Sequence, residues 1–174
     1  MQLGFTIPLM KHLHIKSLPY GEDCPLFYCW DLHRILLHGQ GCLLAVHADT
    51  RYTFVVFGVT QHGWQMVEET FLDGLRTSLT LAGFAPDEIA TYLAQAGKAE
   101  RTKTHGRRPV AFLNQAWNDA VAYDYCTDTA SHSQPQLELA INSKRCRCAG
   151  CEGQIQPAAQ LRKRFDEMIA TGAI

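Results

Sequence analysis

The hydrophobic pattern of the chain changes its period near residue 60, and this change constrains the fold more than any other feature. Before it, short runs rich in β-branched and aromatic residues, such as 42–46 and 52–59, are separated by turn signals. An antiparallel meander within the first 60 residues is the economical interpretation. Because the run over 52–59 is apolar on both faces, we expect it to lie centrally in the sheet, with helices covering at least one side.

After the change, apolar residues recur at helical spacing and predict three helices. The first spans about 64–82 and the second, which opens with Pro86, spans 86–96, so that the two form a helical hairpin. A third helix is predicted over about 109–125, with a buried stripe formed by Val110, Leu113, Trp117, Val121 and Tyr125. Strands followed by helices indicate the α+β class, an antiparallel sheet covered by the hairpin and the third helix.

The composition changes again after Cys126, where a polar linker begins. Beyond the linker we expect a strand over 137–141, a turn that contains cysteines, and an amphipathic helix over about 157–170. The 174 residues have room for one main core. The expected organisation is therefore an α+β core domain over 1–126 and a small cysteine-containing extension over 127–174.

Charge and cysteine usage narrow the class of protein. The chain has 16 Lys and Arg against 17 Asp and Glu, which gives a net charge of −1. It therefore lacks the overall positive charge typical of many nucleic-acid-binding proteins, although a local basic patch is compatible with this balance. A composition that is 47% hydrophobic and 19% charged excludes a disordered, collagenous or coiled-coil protein. Seven cysteines at uneven spacing, without a secretory signal or an apolar run long enough to span a bilayer, predict a cytoplasmic protein with no membrane segment.

A basic loop precedes the third predicted helix. Four side chains within six residues can carry positive charge: Lys103, His105, Arg107 and Arg108. Free backbone N–H groups and the positive end of the helix dipole would add to these charges, which together predict a site for the phosphates of a nucleic acid or for carboxylates. Asn114, further along the same helix, is placed to orient such a ligand. The competing interpretation is a solvated loop whose arginines pair with nearby acidic residues.

A cysteine cluster in the extension is the candidate metal site. Its spacing is Cys-x-Cys-x-x-Cys at Cys146, Cys148 and Cys151, and Cys126 or His132 would supply a fourth ligand. Thiolates this close can share a tetrahedral Zn²⁺, so zinc is the one cofactor that the sequence suggests. The spacing differs from the paired Cys-x-x-Cys of zinc ribbons, and arginines are interleaved with the cysteines. The alternative is a basic turn whose thiols bind no metal.

Eight histidines in a short chain raise a catalytic alternative. Histidine beside arginine can act as acid, base and phosphate holder in a nuclease, and His33, Arg34, His38 and His47 all fall in the strand-rich segment. Partly buried strand histidines are the competing interpretation. The Walker loop, G-x-G-x-x-G, H-E-x-x-H, G-x-S-x-G and EF-hand patterns are absent from the sequence, so no standard enzyme class is signalled.

Several short motifs occur in an order that resembles a known family. They are Trp30-Asp31-Leu32-His33, His47-Ala48-Asp49-Thr50-Arg51-Tyr52 before a hydrophobic strand, Phe71-Leu72-Asp73-Gly74-Leu75-Arg76, and Thr102-Lys103-Thr104 followed by Asn114. Over about residues 1–120 this pattern resembles a family of small bacterial and phage-related proteins catalogued only as a domain of unknown function. The chain departs from the pattern where His105-Gly106-Arg107-Arg108-Pro109 replaces the usual Asn-Arg-Ser. The resemblance implies a small α+β fold and a polar loop, and it implies no activity.

Three functions from different classes are compatible with these features. The first is a non-catalytic binding module of a mobile-element or phage-linked protein, which contacts nucleic acid or an acidic protein partner through the basic loop. The second is a small nuclease or other hydrolase that uses histidine and arginine. The third is an inhibitory protein that masks a host defence or nucleic-acid-processing complex. Two basic clusters on a nearly neutral chain, around 103–108 and 145–164, favour the first.

Overall fold

The computed structural model describes residues 1–147 and 153–171, and this part of the chain confirms the predicted α+β class. Its strands are β1 (Gln2–Phe5), β2 (Cys29–Leu37), β3 (Gln40–His47), β4 (Thr53–Val56) and β5 (Glu100–Lys103). Its α-helices are α1 (Ile7–His12), α2 (Gln61–Gln65), α3 (Val67–Leu81), α4 (Pro86–Ala96), α5 (Arg107–Ala122), α6 (Pro135–Ser143) and α7 (Pro157–Ala170). None of these helices has the length and apolar character needed to cross a membrane.

The five strands form one mixed sheet in the order β4-β3-β2-β1-β5. The meander predicted from the first 60 residues is present as the antiparallel strands β2, β3 and β4. The sheet is not wholly antiparallel as expected, because β1 runs parallel to β2 on one side and to β5 on the other. β1 and β5 contain four residues each, which is too few for an alternating pattern to mark them in the sequence.

β4 is an edge strand and not the central strand predicted from its two apolar faces. Its free edge is covered by side chains of α6. The Asn142 side chain accepts a hydrogen bond from the Thr53 N–H at 2.8 Å and donates one to the Thr53 carbonyl at 2.7 Å. One turn earlier, Glu138 accepts a hydrogen bond from the Val55 N–H at 3.3 Å. These side chains satisfy backbone groups that a neighbouring strand would otherwise pair, so β4 is buried without lying in the middle of the sheet.

Helix α6 occupies the segment 137–141 that the sequence predicted as a strand, so that prediction is wrong. Its apolar residues alternate as in a strand, but Leu137 and Ile141 are also about one helical turn apart and are buried, whereas Leu139 is exposed. The helix begins at Pro135, a position where the missing proline N–H would have had no partner in the helix. Helical spacing also brings Glu138 and Asn142 to the same strand edge.

Helices cover both faces of the sheet and enclose two apolar cores. On one face α1, α3, α4 and α7 contribute to a core with the sheet, where Leu3, Trp30 and Phe71 are fully buried. On the other face α5 and α6 cover a second cluster that includes Leu44 and Val55. The two C-terminal helices α6 and α7 therefore contribute to the same cores as the preceding elements.

The helical hairpin is confirmed, although the first predicted helix is divided into two. α2 and α3 are separated by Met66, whose backbone angles of φ −108° and ψ 47° are not helical. In α3 the predicted apolar stripe faces the core, and its members Val67, Phe71, Leu75 and Leu79 are buried. Gly74 lets α3 approach the sheet closely, since a Cβ on Gly74 would lie 2.7 Å from Cγ2 of Val56.

The predicted stripe of the third helix is largely wrong. Leu113 is buried, but Trp117, Val121 and Tyr125 are 41%, 51% and 76% exposed. The helix begins at Arg107, earlier than predicted, and its buried side includes Pro109, Phe112, Ala116 and Ala120. Because alanines face the sheet, the helix backbone packs close to the strands and the larger apolar side chains of the neighbouring stripe stay at the surface.

Candidate functional site

The carboxyl ends of the parallel strands β1 and β5 meet at the start of α5. β1 lies between β2 and β5, and Gly4 pairs with Asp31 on one side and with Thr102 on the other. The chain leaves β5 through Thr104 and His105 and enters α5 at once. In sheets with parallel strands, ligands commonly bind outside the carboxyl ends of strands whose connections diverge. The candidate functional site consists of this edge of the sheet, where the carboxyl ends of β1 and β5 lie, together with α5.

Asp31 and His105 form a buried acid–imidazole pair at this edge. Nδ1 of His105 lies 2.7 Å from Oδ1 of Asp31, and the His105 backbone N–H donates to the same oxygen at 3.2 Å. The Asp31 side chain is fully buried, and only 8% of the His105 side chain is exposed. Burial raises the pKa of Asp31, and the hydrogen bonds from His105 act in the opposite direction. The contact fixes the orientation of the imidazole ring.

Two atoms of this pair, Oδ2 of Asp31 and Nε2 of His105, are buried and have no hydrogen-bond partner among the described residues. Buried polar atoms in proteins nearly always have a partner, so each of these atoms is placed to take a water molecule or a polar group of a ligand. Since Nδ1 of His105 is held by Asp31, Nε2 is the ring atom that remains to accept or donate a proton.

Gly4 makes room for the pair. A Cβ on Gly4 would lie 2.1 Å from Oδ1 of Asp31 and 2.8 Å from Cα of Thr104. Packed atoms do not approach this closely, so a residue with a side chain would push the loop after β5 away from β1. Glycine at this position therefore allows His105 to reach Asp31.

A second histidine lies on the same strand face, two residues beyond Asp31. Nδ1 of His33 is 2.8 Å from the Thr6 hydroxyl, and the His33 ring lies 4.9 Å from the Trp117 ring between centroids. Burial lowers the pKa of His33 and so favours its neutral ring. His33 thus supports one side of the Trp117 indole, while 41% of Trp117 remains exposed on the outside of α5.

The residues of the predicted basic loop are only partly brought together. Arg107 and Arg108 are exposed in the first turn of α5, and neither forms an ion pair within residues 1–147 and 153–171. His105 lies beneath them in its pair with Asp31. Lys103 shares the sheet face of Phe5, opposite the face that α5 covers, and its Nζ lies 4.0 Å from the centre of the Tyr20 ring.

The outward side of α5 carries arginines, amides and one aromatic ring. We call it the α5 surface, and its polar and aromatic residues are Arg107, Arg108, Asn114, Gln115, Trp117 and Asn118; the exposed residues Ala111, Val121 and Ala122 lie on the same side. The one acidic residue in the sequence of α5, Asp119, is buried and pairs with Arg51 on the inner side of the helix. The α5 surface therefore bears cationic and neutral polar groups with no acid among them.

A family model described as Domain of unknown function (DUF6933) matches residues 2–159. The chain belongs to this family. The DUF6933 match confirms the resemblance seen in the motifs, and it runs past residue 120 to include α6 and the start of α7. A comparison with curated proteins finds none that matches. The family description carries no activity, so function has to be argued from the site.

The structure describes two of the four cysteines proposed as zinc ligands, Cys126 and Cys146. Cys126 is half-buried after α5, and Cys146 is buried where its backbone pairs with Ile155. Cys148 and Cys151 lie outside the described residues. Within the described ranges, no group of three or more His, Cys, Asp or Glu side chains is arranged to hold a metal ion. Zinc binding by the four cysteines stays a prediction.

Most of the histidines are dispersed. His47 is fully buried in a bond to the Phe27 carbonyl, His12 stacks edge-on against Trp64, and His132 contacts the Phe57 carbonyl. Only His33 and His105 lie on the strand face beneath α5. Sequence reasoning identified His105 but missed Asp31, although an acid inside an apolar strand is a signal that could have found it.

Proposed function

We propose that this protein is a non-catalytic binding module whose α5 surface contacts single-stranded nucleic acid. The observation that carries the proposal is the combination, on one exposed helix face, of two arginines that form no ion pair with any described residue, a half-exposed tryptophan and three side-chain amides. Phosphate, base face and base edge are the three parts of a nucleotide, and this surface offers a group suited to each.

The arginines are suited to phosphates. Arg107 and Arg108 lie at the N-terminal end of a 16-residue helix whose N-cap residue, Gly106, has no side chain to cap it. Two cations at this end face the positive pole of the helix dipole, an arrangement that is mildly unfavourable until an anion neutralises it. A phosphate would pair with the guanidinium groups and accept hydrogen bonds from the backbone N–H groups of Arg107 and Arg108, since Pro109 has no N–H.

Trp117 is suited to a base. Its indole contacts His33 at 4.9 Å between ring centroids and is 41% exposed, so a base can stack on the exposed part of the ring. Asn114 and Asn118, about one turn apart beside the ring, present amide donors and acceptors toward base edges. A duplex hides base faces within its stack, and for this reason we propose a single strand.

An acidic protein partner is the competing occupant. It would use Arg107 and Arg108 in the same way, but it would have no need of Trp117 or the amides. A panel of fluorescein-labelled probes separates the two: a single-stranded RNA, a single-stranded DNA of the same sequence, the corresponding duplex, and poly-glutamate. We expect both single strands to bind more tightly than the duplex and poly-glutamate. Equal binding of poly-glutamate would instead favour an acidic protein target, including the inhibitory role on a host complex.

Replacement of Trp117 tests the stacking step. Trp117→Ala is expected to weaken binding of the single strands by about 1–3 kcal/mol, the usual contribution of one aromatic platform. The matched control is Tyr125→Ala, which removes an exposed aromatic ring beyond the end of α5. Equal losses in the two variants would contradict a specific role for Trp117.

Hydrolysis by the Asp31–His105 pair is the second candidate function, and one observation favours it. The Asp31–His105 contact with an unpartnered Nε2 is the arrangement in which a carboxylate orients a histidine for proton transfer. Incubation of the labelled RNA and DNA with the protein tests this candidate. Cleavage that His105→Gln abolishes while binding persists would replace the binding module by a nuclease; intact probes would support the binding module.

A further inference from the structure

A cavity of about 310 Å³ lies at the free edge of the sheet, away from α5. It is bounded by β4, by α3 and by the chain just before and within α6. Its volume is at the lower end of the range for small-molecule sites. The cavity shares no residue with the α5 surface, so its occupancy is independent of the proposed function.

The lining of the cavity combines an apolar wall with acidic and hydroxyl groups. Val55, Val56 and Val59 form the wall, and Thr60, Thr70, Thr77 and Ser133 supply hydroxyls. Glu138 and Asp73 supply carboxyl groups, His132 supplies an imidazole whose Nδ1 lies 2.7 Å from the Phe57 carbonyl oxygen, and the described lining includes no lysine or arginine. An anionic ligand would therefore meet two carboxyl groups without a lysine or arginine to compensate them, whereas a cation would be attracted.

Glu138 is the inner acidic group of this cavity. It is 6% exposed, and its oxygens accept hydrogen bonds from the Ser78 hydroxyl at 2.5 Å and from the Val55 N–H at 3.3 Å, and the Gln134 backbone also contributes. A carboxylate can accept about four hydrogen bonds, so an acceptor position remains. Because the side chain lines the cavity, a donor group of a bound molecule can use that position.

Asp73 lies at the outer part of the cavity and differs from Glu138 in its surroundings. Its side chain is 81% exposed and pairs with Arg76 one turn along α3. This exposed pair is screened by solvent and holds a ligand weakly. Glu138 is therefore the residue expected to bind a charged group of the ligand, and a variant of Asp73 serves as the matched control for loss of a carboxylate.

We propose that this cavity binds a small primary amine with an apolar body, the ammonium group on Glu138 and the hydrocarbon part against Val55, Val56 and Val59. An ammonium group has three donors, which suit the remaining acceptor position of the Glu138 carboxylate and a nearby threonine hydroxyl. The apolar part of the ligand removes the valine wall from water. A neutral molecule of the same shape would gain the second contribution and lose the first.

The test compares cyclohexylmethylamine with cyclohexylmethanol as probes for the intact chain, by titration monitored through backbone amide NMR signals. The titration is carried out at pH 8, where Glu138, whose pKa burial raises to about 7, is ionised. We expect the amine to shift the signals of Val55, Val59 and Gly74, and to bind at least about tenfold more tightly than the alcohol, as expected for a charge-assisted hydrogen bond of at least 1.4 kcal/mol. Equal affinities, shifts confined to other residues, or no shift by the amine would overturn the proposal.

Two variants test whether the ammonium group of the amine contacts Glu138. Glu138→Gln is expected to lower the affinity for the amine at least about tenfold while leaving the affinity for the alcohol unchanged, and Asp73→Asn is expected to change both less than about threefold. An amine affinity that survives Glu138→Gln would overturn the assignment. If Glu138→Gln does not fold, the comparison of amine with alcohol on the wild-type chain still decides the proposal.

Discussion

Asp119 and Arg51 form a buried ion pair that joins α5 to the turn before β4. The Arg51 side chain is fully buried, that of Asp119 is 5% exposed, and Nη2 of Arg51 lies 2.5 Å from Oδ2 of Asp119. Lys144 contacts the other oxygen of the same carboxylate. This contact uses the one acid of α5 on its inner side, which leaves the α5 surface without an acidic residue.

Asp119→Ala is expected to destabilise the protein strongly. It would leave the Arg51 guanidinium buried without its charge partner, and removal of one member of a buried pair costs about 3–5 kcal/mol. Urea denaturation measures the change in the free energy of unfolding. Asp73→Ala breaks an exposed pair with Arg76 and serves as the control, with an expected loss of about 0.5 kcal/mol or less. A loss below about 1 kcal/mol for Asp119→Ala would show that this pair does not hold α5 in place.

Asn142→Ala is expected to uncover the edge of β4. The N–H and carbonyl of Thr53, a fully buried residue, would both lose their partner. A buried polar group left unsatisfied costs about 1–3 kcal/mol, so we expect a loss of at least about 2 kcal/mol in the free energy of unfolding. Aggregation on storage should also rise, because an open edge strand pairs with other chains. Ser143→Ala, which alters an exposed hydroxyl on the same helix, should leave both properties unchanged.

Gly4→Ala is expected to disrupt the Asp31–His105 pair. The added methyl group would overlap Oδ1 of Asp31 and the backbone of Thr104, so the Asp31 carboxyl, the chain after β5, or both have to move, and either movement breaks the contact. Overpacking of this kind typically costs about 1–3 kcal/mol, and we expect the upper part of that range. The imidazole proton signals of His105 in NMR should shift with the loss of stability. Gly41→Ala would place its Cβ 3.5 Å from the nearest atom, an ordinary contact, so it controls for glycine replacement without the clash.

Stability should fall with rising pH through the titration of Glu138. Burial raises the pKa of Glu138 to about 7, from an ordinary value of 4.5. The folded state therefore holds a proton that the unfolded state has released between pH 4.5 and 7, so the stabilisation is complete below 4.5 and is lost as pH rises to 7. The groups facing this carboxyl are Ser78 and Tyr52 from the core side and Asp73 and His132 across the cavity.

The measurement compares wild type with Glu138→Gln, whose side chain does not titrate. The free energy of unfolding of the wild type, relative to the variant, should fall by about 3 kcal/mol between pH 4.5 and 8. Glu69→Gln, an exposed acid on α3, serves as the control and should show no such trend. A difference between wild type and Glu138→Gln that is constant across this pH range would contradict the raised pKa.

The elements that could be predicted from the sequence are those whose own residues show a helical spacing or a helix-starting residue. The stripe of Val67, Phe71 and Leu75 and the proline at 86 define the hairpin locally, and both are confirmed. Trp117 could not be placed, because the choice between it and Ala116 as the buried residue depends on how closely α5 approaches the sheet. The segment 137–141 satisfies two periods at once, and only its contact with β4 decides for the helix.

The candidate site likewise combines residues that are close in the sequence with residues that only the fold brings together. His105, Arg107 and Arg108 are neighbours in sequence and were identified from their spacing. Asp31 is 74 positions from His105, and their contact depends on β1 inserting between β2 and β5, which no local pattern indicates. The separation of Lys103 from the arginines follows from the pleat, since its neighbour Phe5 points to the face opposite α5.

The salt dependence of binding to a labelled single-stranded RNA tests the central claim most directly. For the double variant Arg107→Ala with Arg108→Ala, we predict an unchanged or slightly raised melting temperature and a slope of log affinity against log salt reduced by about 1.4, the value for two phosphate contacts on a single strand. Arg76→Ala with Lys163→Ala removes the same charge elsewhere and should keep the wild-type slope. A wild-type slope in the α5 variant, or a clearly lower melting temperature, would contradict the account.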